Sequence, residues 1–124
     1  IKVPLYGDGL NRRDWLFVLD NCAAVDAVLR SGSPGDIYNI GAGNELSNRD
    51  LTTRLLALCE AGEEMVEPVV DRLGHDRRYS VDSSKVRALG WAPEVGLDEG
   101  LEQTFAWYRK NRWWWAPLRA VPVP

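Results

Sequence analysis

The sequence predicts a mixed α/β fold. Apolar residues recur at helical spacing in several segments, and short runs of aromatic and β-branched residues lie between them. Clusters of glycine and proline separate the two kinds of segment. With 124 residues, 45% of them hydrophobic, the chain is long enough to bury one core.

The elements follow in order. After the turn at Gly7-Asp8-Gly9, the bulky run Trp15-Leu16-Phe17-Val18 predicts a strand. Asp20 is then placed to cap a helix through about Arg30, with Ala24, Val25, Val28 and Leu29 on its apolar face. The breaker cluster Ser31-Gly32-Ser33-Pro34-Gly35 stops it. Ile37 to Ile40 predicts a second strand, ending at Gly41-Ala42-Gly43. Ser47, with Asp50 three positions on, resembles a capping box, and Leu51, Leu55 and Leu58 continue that helix to Cys59. Val66 to Val70 predicts a third strand, which Pro68 confines to an edge or an irregular pairing. Tyr79 to Val81 reads as extended. Asp82 or Ser83 caps a short helix that Gly90 ends, and a last helix begins at about Asp98 with Leu101, Phe105 and Tyr108 on one side. Residues 1–115 form the organised part, and 116–124 read as an irregular, proline-spaced tail.

Composition excludes several function classes. A net charge of −3 argues against nucleic acid as a partner. No apolar run approaches the ~20 residues that span a bilayer, and the start IKVPLYGDG lacks a signal-peptide pattern. The expectation is a cytoplasmic protein with no membrane partner. Cys22 and Cys59 read as reduced, buried helix residues. Ile1 as first residue, with Met65 the single methionine, suggests a piece of a longer protein or a processed product.

The most charged stretch is Asp71-Arg72-Leu73-Gly74-His75-Asp76-Arg77-Arg78-Tyr79, which holds the single histidine. Metal binding is excluded because His75, Cys22 and Cys59 show no paired ligand spacing. A Cys–His nucleophile lacks any sign of activation. Spacing alone favours a solvated loop with local ion pairs. The alternative is an anion clamp, in which arginine forks match phosphate oxygens, His75 donates, and Asp71 and Asp76 orient the guanidiniums. Arg12-Arg13-Asp14 raises the same question, with an arginine projecting from a strand end and Asp14 fixing it. Tyr6 is a candidate stacking platform, and Asn39 and Asn48 could read a base or ribose. Asn48 is equally suited to ordinary capping.

Taken together, PLYGDGLNRRDWLFVLD (4–20), DIYNIGAGNELSN (36–48), DRLGHDRRYSVDSSK (71–85), LGWAPEVGLDEGLEQTFAWY (89–108) and the tryptophan run near the end resemble the C-terminal part of the dTDP-glucose 4,6-dehydratases. These belong to the extended short-chain dehydrogenase/reductase family. The resemblance implies the nucleotide-sugar-binding portion of such an enzyme, lacking most of the Rossmann domain but with one strand available to its sheet. It implies conversion of dTDP-glucose to dTDP-4-keto-6-deoxyglucose with tightly held NAD+, and a homodimeric parent. It places Pro4 and Tyr6 by the thymine or deoxyribose, Arg13 and Asn48 by the nucleotide diphosphate, and Arg72 with His75 on the diphosphate or sugar. Arg77 and Arg78 are alternatively braces of the loop.

Two departures stand out. Leu73 occupies a position where the family usually has proline, and Arg12 one that is usually apolar or small. The 124 residues hold no Tyr-x-x-x-Lys pair and no glycine-rich dinucleotide motif, so the expectation is a substrate-binding half without turnover of its own. Another nucleotide-sugar epimerase, decarboxylase or dehydratase of the superfamily is the alternative. A truncated, non-catalytic nucleotide-binding paralogue is a third reading.

Overall fold

The computed structural model of the protein describes residues 2–120. Among them four strands and five helices follow in the order β1 (Val3–Tyr6), β2 (Arg12–Asp14), α1 (Val18–Ser31), β3 (Glu45–Ser47), α2 (Asn48–Leu58), β4 (Val66–Val69), α3 (Ser84–Arg87), α4 (Leu97–Lys110) and α5 (Arg112–Trp115). Short 3-10 turns occupy Glu63–Met65 and Pro117–Ala120, and positions 121–124 of the expected tail lie outside the described residues.

The strands form two small ladders. β1 pairs parallel with β4, in the register Val3 with Val66 through Tyr6 with Val69. Pro68 is accommodated because, among the described residues, β4 has a partner on one side only, and Val69 rather than Pro68 turns its backbone groups to that partner. β2 pairs antiparallel with β3, Arg12 opposite Ser47 and Asp14 opposite Glu45. A single parallel bridge joins Arg12 to Arg78.

Three sequence expectations shift. The strand expected at 15–18 forms instead at Arg12–Asp14, and Val18 already opens α1. Arg12–Asp14 is polar, but its backbone has a partner in β3, whereas Trp15 turns its indole Nε1 to the Leu46 carbonyl. Asp20 does not cap α1. It is buried within the first turn, where its carboxylate accepts from Val95 N at 3.0 Å and its carbonyl accepts from Trp91 Nε1 at 3.0 Å. Residues 37–40 carry no ladder among the described residues, yet they alternate like a strand. Tyr38 and Ile40 pack on the core while Ile37 is 81% exposed.

The core gathers Ala24 of α1, Val86 of α3 and Trp91, with Leu16, Ala27, Val28, Tyr38 and Ile40 around them. Leu5 of β1 and Leu51 and Leu56 of α2 are also buried. The α2 start behaves as its sequence predicts: Ser47 Oγ accepts from Asp50 N at 3.0 Å. The reciprocal contact differs, because Asp50 is too short to reach back to the backbone and its carboxylate takes the Ser47 hydroxyl at 2.6 Å. Arg54 of α2 pairs with Asp98 of α4. Helix α4 approaches Phe17 closely at Gly100, where a Cβ would lie 3.3 Å from the ring. Trp107 and Trp114 stack edge to face at 5.4 Å near the end of the chain.

Cys22 and Cys59 are free thiols, as expected, but both are exposed rather than buried. Cys22 lies with Val18, Val25 and Leu29 on the outward side of α1, opposite the side that Ala24 and Val28 bury.

Candidate functional site

The site grows from the ends of β1 and β2 and the loop after β4. Parallel pairing carries β1 and β4 out at the same end, so Tyr6 and residues 71–79 emerge side by side. Gly7 keeps them close: at φ +57°, its Cβ would meet Asp71 Oδ2 at 2.9 Å. Backbone bonds Arg12 N to Arg77 O, 2.8 Å, and Tyr79 N to Arg12 O, 3.1 Å, then lash β2 to the loop.

Inside the loop, His75 N donates to Arg72 O at 3.2 Å. Gly74 has φ +70° and Leu73 does not have a positive φ, which together make 72–75 a type II turn. Proline favours the second position of that turn, which is where Leu73 stands. Leucine is tolerated there because Gly74 supplies the required positive φ and the Leu73 side chain is fully exposed.

His75 is bound at both ring nitrogens. Its Nδ1 lies 2.6 Å from Asp71 Oδ1, and its Nε2 lies 3.0 Å from Arg13 Nη2. Its side chain is only 6% exposed, and the edge of the Tyr6 ring stands 6.3 Å away, centroid to centroid. Bonding to His75 holds the Asp71 carboxyl below its ordinary range. Arg13 donates to the carbonyls of Arg12 (2.6 Å) and Asp76 (3.0 Å) and lies over the Tyr79 ring at 4.1 Å. Tyr79 donates its hydroxyl to Asp76 Oδ2 at 2.6 Å, and this bond, together with the negative charge of Asp76, raises the phenol above its ordinary value.

Arg72, His75, Asp76 and Tyr79 line a cavity of about 180 Å³ with Leu73 and Gly74. The Arg72 guanidinium lies 5.5 Å over the Tyr6 ring, and it has no ion pair among the described residues. That makes it a cation available to an incoming anion. A drug-sized ligand usually needs about 300–1,000 Å³, so this cavity suits one charged end of a longer molecule. A larger hollow of about 350 Å³ beside Phe17, Trp91 and Gln103 has no arginine, lysine or histidine in its lining and offers no anion chemistry.

The other charges of the stretch are structural. Arg77 Nη1 donates to both carboxylate oxygens of Asp8, at 2.9 and 3.0 Å. Arg78 forks onto Glu45, and Arg12 donates to the Glu45 carbonyl at 2.9 Å. Asp14 fixes no arginine, since its carboxylate accepts from Gly43 N and Asn44 N. Asp71 orients His75 rather than a guanidinium.

Of the residues expected at the site, Tyr6, Arg13, Arg72 and His75 converge. Pro4 sits two residues before Tyr6, exposed on the same face of β1. Asn48 opens α2, where its backbone N donates to Asn11 O at 3.0 Å, and its side chain makes no hydrogen bond among the described residues. Asn39 lies exposed in the 37–40 segment. The sequence reading missed Asn11. It is 2% exposed and donates from Nδ2 to Asp76 O at 3.2 Å, pinning the loop from below. An asparagine following a turn gives no local sign of so distant a partner. Tyr79 was placed only as extended chain, although an aromatic ring next to two arginines signals a stacking surface.

The sequence matches the family model described as GDP-mannose 4,6 dehydratase over residues 1–104. The chain belongs to this family. A dTDP-glucose 4,6-dehydratase from Streptomyces antibioticus is 52% identical over 124 residues, covering 99% of this chain and 37% of that protein. The structure of the dTDP-glucose 4,6-dehydratase DesIV from Streptomyces venezuelae, solved with NAD bound, superposes with a TM-score of 0.90 at 49% identity, over 94% of this chain and 37% of that one. A UDP-glucose 4-epimerase from Thermotoga maritima, solved with UDP-glucose, gives 0.78 at 32% identity, over 88% of this chain and 35% of that one. This member of the family therefore spans a little over a third of the length of the relatives it matches. Its mixed α/β architecture, as expected from the sequence, is that of the extended short-chain dehydrogenase/reductase dehydratases over the matched part.

Among the described residues, no glycine-rich turn joins a strand directly to the helix that follows it. A Rossmann-type cradle for NAD needs such a turn. Trp15–Phe17 between β2 and α1 contains no glycine, and β3 runs directly into α2. The segment between β4 and α3 has Gly74 alone, and the Gly7-Asp8-Gly9 turn leads to another strand. Among the described residues no group of three or more metal-ligating side chains occurs, and no helix is long and apolar enough to cross a membrane.

Proposed function

We propose that this chain is the nucleotide-sugar-binding part of an NAD-dependent dTDP-glucose 4,6-dehydratase, a lyase forming dTDP-4-keto-6-deoxyglucose and water. Arg72 and His75 line one small cavity, with Tyr6 beside Arg72 and Arg13 bonded to His75, and this grouping carries the reading. Arg72 and Arg13 bind the diphosphate, His75 donates to it or to the sugar, and Tyr6 with Pro4 forms the platform for the base or deoxyribose. Asn48 would contact the nucleotide from the α2 start. Holding the nucleotide end uses binding energy far from the reacting carbons to orient the glucose ring. NAD supplies the redox capacity of such a reaction when bound, and no step of it is assigned to residues of this chain.

The strand-like alternation at 37–40, with Tyr38 and Ile40 on the core and Ile37 exposed, supports a further element of the reading: this segment adds a strand to the Rossmann sheet of a longer, cytoplasmic and homodimeric parent. The likeness to UDP-glucose 4-epimerase supports a second reading, a site for a different nucleotide sugar. Calorimetric titration of dTDP and UDP separates the two. Tighter binding of dTDP, together with no consumption of dTDP-glucose when NAD+ is added to this chain alone, is the expected result. Turnover by the chain, or preference for UDP, overturns the corresponding part.

A further inference from the structure

We infer that diphosphate binding at this site is coupled to uptake of a proton on Nε2 of His75, and that Asp71 is the positioning residue behind this coupling. The inference rests on the reading of the cavity as a nucleotide-diphosphate site and extends it to the state of the ring.

The tautomer follows from the partners. A guanidinium has donors only, so the 3.0 Å contact from Arg13 Nη2 makes Nε2 an acceptor. The ring proton then sits on Nδ1, where Asp71 Oδ1 accepts it at 2.6 Å. Each nitrogen has one assigned role. Any added proton has a single place to go, Nε2, because Nδ1 already carries one.

The surroundings of the ring are mixed in charge. Arg13 faces it from β2 and the Tyr6 phenol ring from β1, while Asp71, Arg72, Asp76 and Tyr79 stand around it on its own loop. A diphosphate ionised near neutral pH offers acceptor oxygens only. Entering a cavity that His75 itself lines, it competes with Nε2 for the Arg13 donor. A nearby anion favours the charged form of the ring. The imidazolium would then bridge two anions, with Nδ1–H on Asp71 and Nε2–H on a phosphate oxygen. The added proton comes from solvent, and no covalent bond changes. Histidine is suited to this because its charge change ordinarily falls between about pH 5 and 8.

Since the complex then holds more protons than the free components, affinity rises as pH falls. The test is calorimetric titration of dTDP into the full chain at about pH 7.5, where the diphosphate itself is nearly fully ionised, in buffers of different ionisation enthalpy. The dependence of the heat on buffer enthalpy reports net proton uptake, expected to approach one proton per dTDP. His75→Gln keeps an amide donor and is expected to bind dTDP with no uptake. Asp71→Asn removes the counter-charge, so uptake at the same pH falls and the affinity–pH profile moves to lower pH. Zero uptake in the unsubstituted chain, or uptake unchanged in His75→Gln, overturns the inference while leaving the site in place. Failure of dTDP to bind, or binding that Arg72→Ala leaves unchanged, overturns the site reading and this inference with it. The unsubstituted chain alone gives a decision if either variant fails to fold.

Discussion

Arg78 and Glu45 form a two-pronged ion pair, Nε to Oε2 at 2.6 Å and Nη2 to Oε1 at 2.5 Å, and it ties the charged loop to β3. The pair, with Ser80 Oγ donating at 2.8 Å, lowers the Glu45 carboxyl to about 2. A carboxyl depressed on folding contributes stability that is present above its unfolded value of 4.5 and is lost as pH falls toward 2. Protection of the amides in residues 77–80, relative to their intrinsic exchange at each pH, is therefore expected to hold from neutrality to about pH 5 and to fall below. Glu45→Gln should show lower protection near neutrality, with the difference shrinking as pH falls toward 2. Because Arg78 is 58% exposed, high salt should narrow the difference.

Arg72 and Arg13 should separate into a binding residue and one that both binds and supports. Charge-assisted hydrogen bonds contribute about 1.5–3 kcal/mol each, so Arg72→Ala should weaken dTDP binding roughly 10- to 100-fold. Its melting temperature should not move, since its guanidinium has no ion pair among the described residues. Arg13→Ala should lower both affinity and melting temperature, because it also strips donors from the Arg12 and Asp76 carbonyls. Calorimetry and thermal melts on the two variants check this. Equal melting temperatures would contradict it.

Leu73→Pro is expected to stabilise the protein. The substitution restricts the unfolded chain at a turn position that already favours proline, an effect of about 0.4–1 kcal/mol. Among the described residues the Leu73 N–H has no hydrogen bond to lose. A higher urea midpoint with an unchanged slope would confirm the turn assignment. Destabilisation would refute it.

Ser47→Ala removes the one side-chain cap of α2. Caps of this type contribute about 0.5–2 kcal/mol, and Asp50 would lose its hydroxyl partner at the same time. Urea unfolding should show a loss in that range.

Trp91→Phe keeps most of the ring in the core but leaves the Asp20 carbonyl without its indole donor. That carbonyl keeps its intrahelical partner, so the lost hydrogen bond is worth about 0.5–1.5 kcal/mol. Adding the lost ring volume, the variant should be the least stable of the substitutions named here. Denaturant titration followed by circular dichroism measures it.

What the sequence determined alone was local. The Ser47 cap and leucine spacing of α2, the stop of α1 at Ser31–Gly35 and the end of α3 before Gly90 are set by residues within a few positions of one another. Tertiary structure decided the rest, because the deciding partners lie far along the chain. Polar Arg12–Asp14 became a strand through β3, more than thirty residues on, while residues 37–40 alternate like one and find no described partner to complete it. Likewise, the four arginines at 12, 13, 77 and 78 are indistinguishable as a list of charges. Glu45 and Asp8 immobilise three of them as braces, and proximity to His75 and Tyr79 makes Arg13 part of a site. Charge pairing acts over a few ångströms in space, and distance in the sequence does not encode it.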